Sequence, residues 1–172
     1  MSVPEYAHRL REAVAHAAPL LLALDTDASA RPLDAGKWSP REIVGHLIDS
    51  AANNHQRFVR GQLQDDLVFL GYAQEEWVRV QHYADAPWPD LVALWRLYNL
   101  HLARVMELTP ADRRMSPRAR HNIQEIGFAA PVEATATLDG SRCSTTSSIC
   151  CTTCGSWAWP RPPASVPSAD GH

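Results

Sequence analysis

Lys37-Trp38-Ser39-Pro40-Arg41-Glu42-Ile43-Val44-Gly45-His46-Leu47-Ile48-Asp49-Ser50 is the stretch whose reading decides the fold. Ser39 is a good N-cap, and Pro40 stands where a missing N–H costs nothing. Glu42 follows Ser39 at the capping-box spacing, so a helix is expected to start here and run to about Gln62. Ile43, Val44, Leu47, Ile48, Ala51, Phe58 and Val59 repeat with a helical rather than an alternating period. His46, Ser50, Asn53 and Arg57 form a strip beside that stripe, which a packed helix would turn toward a groove between helices. Asn53 and Arg57 could contact an anionic substrate there; Arg57 could equally pair with Asp49 or with an acidic residue of the next connection.

Outward from this helix, Tyr6, Leu10, Ala13, Val14, Ala17, Leu20, Leu21 and Leu24 repeat at three and four, giving a first helix over 4–24. Asp25 to Gly36 is polar and reads as a loop. Leu63 to Tyr72 is a connection, and Ala73 to Tyr83 is expected to hold a short helix with Trp77 and Val80 inward. A third long helix is expected over 87–108, with Leu91, Leu94, Trp95, Tyr98, His101, Leu102, Val105 and Met106 on one face. Thr109-Pro110 ends it. Arg113 to Ala136 is polar, interrupted by Pro117 and Pro131, and reads as a long connection.

The chain has 172 residues, 45% hydrophobic and 20% charged, the size and composition of one globular domain. A net charge of −3 argues against a nucleic-acid footprint, which needs a basic surface. No apolar run approaches the ~18 residues of a membrane span. Met1-Ser2-Val3-Pro4-Glu5-Tyr6 lacks the basic and apolar regions of a secretory signal, so a cytoplasmic location is the expectation.

The motif Trp38-Ser39-Pro40-x-Glu42-x-x-x-His46-Leu47-x-Asp49-Ser50, followed by Asn53-Asn54-His55-Gln56-Arg57-Phe58, resembles the DinB-like family of metal-binding four-helix bundles. The likeness runs from Tyr6 to about Asp139. It implies an all-α four-helix bundle over 1–139. It implies a divalent metal, Zn²⁺, Ni²⁺ or Fe²⁺, held by three histidines: one at the place of His46 and two spaced four apart on the last helix. It further implies a hydrolase or thiol-dependent transferase acting on a small molecule, with a low-molecular-weight thiol as one candidate partner, and a homodimer. The competing class is a non-catalytic bundle that binds a small molecule or serves as an oligomeric scaffold.

Three long amphipathic helices and a long crossover lead one to expect a fourth helix after Asp139. The chain there reads Gly140-Ser-Arg-Cys143-Ser-Thr-Thr-Ser-Ser-Ile-Cys150-Cys151-Thr-Thr-Cys154-Gly-Ser-Trp157-Ala-Trp159, without an apolar period. Such residues prefer turns and caps to helix interiors. From Pro160 onward, Pro, Ser and Ala give the composition of a disordered tail. All four cysteines fall in this stretch. Half a zinc site at Cys151-x-x-Cys154 has no second pair beyond it, and a disulfide framework conflicts with a cytoplasmic protein.

A shifted reading frame accounts for the same residues through the genetic code. When the last base of each codon is prefixed to the first two bases of the next, Cys151 becomes Leu without ambiguity. Cys150 becomes Leu or Met, Thr152 becomes His or Tyr, and Ile149 and Thr153 each become Asn, Asp, His or Tyr. The restored text can read Trp-Phe-x-x-x-Asp-Tyr-Val-Val-His-Leu-Leu-His-His-Leu-Arg-Gln-Leu-Gly, an amphipathic helix with histidines at the places of Ile149 and Thr153. On this reading residues 140–172 are non-native, and the chain keeps one metal ligand of three. A catalytic zinc site takes three protein ligands plus water, so metal occupancy and activity are doubtful in the chain as written. Losing five large apolar side chains at about 1.5–3 kcal/mol each rivals a whole stability of about 5–15 kcal/mol. The chain is therefore expected to be marginally stable, aggregation-prone or rescued by dimerisation.

The remaining candidates have plainer readings. His46 alone, at the edge of an apolar stripe, reads as a packed or solvent-edge histidine; the motif is what suggests a ligand. His101 could border the same pocket, although a core role suits its inner face. His55 reads as core or interface, and Glu42 as a cap rather than a base. Trp38, Trp77, Trp88 and Trp95 read as core or helix-end packing, and Asp65-Asp66 as a solvated turn. No Gly-x-Ser-x-Gly elbow or phosphate loop occurs.

Overall fold

The computed structural model describes residues 2–32, 34–122 and 136–139. The described chain is all helical: α1 (Val3–Leu22), α2 (Thr26–Ala30), α3 (Pro40–Leu63), α4 (Gln74–Val80), a 3₁₀ turn (Tyr83–Asp85), α5 (Trp88–Leu108) and α6 (Ala111–Met115). The fourth bundle helix expected after Asp139, the cysteines and the proline-rich tail lie outside the described residues.

Capping starts the long helices. The Ser39 hydroxyl accepts from the Glu42 amide, and the Glu42 carboxylate accepts from the Ser39 amide at 2.8 Å, so α3 begins where the sequence places it. The α1 N-terminus is held by Ser2 and Glu5, and also from far along the chain. The Asp139 carboxylate accepts from the Val3 amide at 2.8 Å and pairs with Arg114 at 2.8 Å.

α5 is the central helix: both α1 and α3 pack on it. Leu10, Val14 and Leu21 of α1 meet Trp88, Val92, Trp95, Leu102 and Met106 of α5 in one apolar cluster with Val44, Leu47, Ile48, Ala51 and Phe58 of α3. The indole N–H of Trp88 donates to the Leu21 carbonyl at 2.9 Å, and Arg11 forks onto Glu107 with two 2.7 Å bonds. A smaller cluster of Leu67, Phe69 and Leu138 closes the base of α3, where a side chain on Gly61 would meet Leu138 at 2.8 Å.

Several local expectations are corrected. The loop expected over 25–36 contains α2, because the Asp25 carboxylate caps the Asp27 and Ala28 amides. Arg41 then pins α2 and the 3₁₀ turn to α3 by donating to Ser29, Thr26 and Ala84. In α4 the inward residue is Val78, while Trp77 and Val80 are exposed; a two-turn helix seats only one apolar residue well. α5 is rotated from the expected face: Val92, Asn99 and Ala103 are buried, and Leu94 and His101 are exposed. Serving α1 and α3 at once fixes that rotation. The connection after Leu108 contains the short α6.

Candidate functional site

The polar strip of α3 is the region that the fold leaves chemically unusual. His46, Asp49, Ser50, Asn53 and Arg57 sit at intervals of three and four, so they share one side of the helix. Asp49 and Ser50 are buried, and His46 is half-buried. Buried carboxylates need partners, and the partners come from the segment after α4. The Tyr83 hydroxyl and the Gln81 amide each donate to Asp49 Oδ1 at 2.8 Å. The Tyr83 oxygen also lies 2.9 Å from Gln81 Oε1. A phenol has one proton, and the charged Asp49 oxygen is the stronger acceptor.

Tyr83 reaches Asp49 because α3 carries a glycine one turn earlier. A Cβ on Gly45 would stand 2.1 Å from a carbon of the Tyr83 ring, so the ring packs directly against bare backbone. His82 turns the chain for this approach with a left-handed backbone, φ 52°.

Two buried atoms of the strip have no hydrogen-bond partner: His46 Nδ1 and Asp49 Oδ2. Burial pushes the His46 imidazole below its ordinary range, opposed by the Asp49 carboxylate. The ring is thus neutral at neutral pH, the form that binds metals. Trp38 packs on it with ring centroids 5.3 Å apart. Burial, then Asp49, pushes the Tyr72 phenol up to about 12, with Arg57 and a Ser50 hydrogen bond pulling the other way. Burial and the Asp49 hydrogen bond likewise raise Tyr83. Both phenols are therefore proton donors at neutral pH.

The structure gathers some of the expected site residues and separates others. Asn53 spends its amide on the Asp49 backbone carbonyl at 2.9 Å, and Arg57 reaches Asn54 at 3.3 Å. His101 packs against α3 away from His46 along the helix. Its ring contacts His55, nine residues along α3 from His46, and nine residues at ~100° each turn the helix to its opposite side. The expected core role of His101 is also corrected, since it is exposed. Tyr72, Gln81 and Tyr83 were not legible as site residues, because only the fold brings them to Asp49.

His46 and Asp49 are the donors within this strip with free buried atoms. Among the described residues, no group of three or more His, Cys, Asp or Glu side chains is placed to hold a metal ion. By itself the strip falls short of the three ligands of a catalytic zinc site. No helix of the described residues is long and apolar enough to cross a membrane.

A protein of Bacillus mycoides (strain KBAB4) named "Putative metal-dependent hydrolase" is 30% identical over 92 residues, covering 52% of this chain and 51% of its own length. A protein of the same name from Bacillus cereus (strain AH820) is 30% identical over 78 residues, 45% of this chain and 43% of its own. The chain spans about half the length of the curated relatives it matches. No protein-family model matches it, and no solved structure matches it significantly.

Proposed function

We propose that this chain derives from a metal-dependent hydrolase or thiol-dependent transferase of the DinB-like type, with His46 as one ligand of its divalent ion. The observation that carries this reading is the buried, unpartnered Nδ1 of a neutral His46 beside the unpartnered Oδ2 of Asp49. A buried polar atom without a partner is costly, and a position built for a ligand explains why it is tolerated. The names of the Bacillus relatives support a metal-dependent enzyme at that level.

The described residues do not complete such a site, so no catalytic step is derived through the ion. The missing ligands are the histidines that the alternative frame writes at the places of Ile149 and Thr153. As written, the chain does not hold the ion at the affinity a hydrolase requires, and it is inactive. Elemental analysis of two purified chains tests this: the chain as written, and one carrying the alternative frame from codon 140. The frame-restored chain is expected to hold about one Zn²⁺, Ni²⁺ or Fe²⁺ per protomer, lost in its His46→Ala variant. Stoichiometric, His46-dependent metal in the chain as written contradicts the proposal.

A further inference from the structure

On the opposite side of α3 from His46, a second pair of imidazoles meets across two helices. His55 of α3 and His101 of α5 have ring centroids 5.1 Å apart, with planes inclined at 56°. We propose that His55 and His101 form a two-imidazole clamp for one zinc-class divalent cation, with water completing its coordination.

The spacing is the first argument. A Zn–N bond of about 2.0–2.1 Å, with the nitrogen about 1.2 Å from the ring centre, places each centroid about 3.2 Å from the ion. Two rings at the tetrahedral angle are then about 5.2 Å apart, whereas the right angle of an octahedral ion requires about 4.5 Å. The observed 5.1 Å is close to that tetrahedral spacing, and it is also an ordinary contact distance for two rings.

The setting is the second argument. His101 is exposed and His55 half-buried, so an ion can reach the pair and keep waters in its remaining positions. Tyr98 meets the His55 ring edge-on at 5.9 Å, which limits its rotation. The two rings belong to the central helix and one of its main partners, so a bound ion would tie α3 to α5.

The test follows the histidine ring ¹⁵N resonances of the full chain as ZnCl₂ is added in excess over its four cysteines. His55 and His101 are expected to shift together on one isotherm. His55→Gln or His101→Gln is expected to weaken the response of the remaining ring by roughly 10²-fold, the scale of gain when two donors act together. His46→Ala is expected to leave the isotherm unchanged, which separates this site from the one proposed above. No shift at either ring, an equal response of one ring without the other, or loss of the response in His46→Ala overturns the clamp.

Discussion

The Tyr83 ring occupies the space that a side chain on Gly45 would fill, and its hydroxyl meets Asp49 four residues further along α3. One missing methyl group thus admits the residue that satisfies half of a buried carboxylate.

Gly45→Ala is expected to push the ring off α3 and to destabilise the fold by about 1–3 kcal/mol, the usual range for overpacking. The gain in helix propensity over Gly, about 1 kcal/mol, does not offset displacement of an aromatic ring. Urea denaturation measures the difference; an alanine variant as stable as the parent contradicts the packing described here.

Tyr83→Phe keeps the ring and removes the hydroxyl. The buried Asp49 oxygen then retains only the Gln81 amide, and a cost of about 1.5–3 kcal/mol is expected for a hydrogen bond to a charged group. Comparison with Gly45→Ala separates ring placement from the hydrogen bond, because only the glycine variant moves the ring.

Tyr72 gives the site an alkaline signature. Its folded pKa is raised from 10 to about 12, so between those values the folded state binds more protons than the unfolded state. Its contribution to stability is complete below pH ~10 and is lost as pH rises through ~12. Asp49, Arg57, Ser50 and Tyr83 are the groups that act on it or share its network. Denaturation at a series of pH values is expected to show this loss in the parent and a flatter profile in Tyr72→Phe.

Asp139 closes a long-range tie between the end of the described chain and the start of α1. Asp139→Asn removes the charge that faces the helix N-terminus and Arg114. A destabilisation of about 1 kcal/mol is expected, measured by the denaturation midpoint. Arg114→Ala is expected to be less than additive with it, because both act on one carboxylate.

The sequence announced the start of α3 because capping is local: Ser39, Pro40 and Glu42 act within one turn. The α3 stripe was legible for the same reason, since burial of Val44, Leu47, Ile48, Ala51 and Phe58 follows a period. Rotation about a helix axis was harder to read. The expected α5 face placed Leu94 and His101 inward, yet packing against α1 and α3 together buries Val92 and Asn99 instead. His46 could be singled out by its motif. Its neighbours could not, because Tyr72, Gln81 and Tyr83 reach Asp49 through a connection whose path no local pattern encodes.

The central claim is that His46 is one ligand of a metal site whose other two ligands are written in a different frame. The nucleotide sequence across codons 136–160 tests it most directly. The account predicts that the Ser148 and Thr152 codons both end in C, so that the shifted frame reads histidine at the places of Ile149 and Thr153, and that this frame stays open through codon 159. Any other final base at either codon, or a stop within that span, contradicts it.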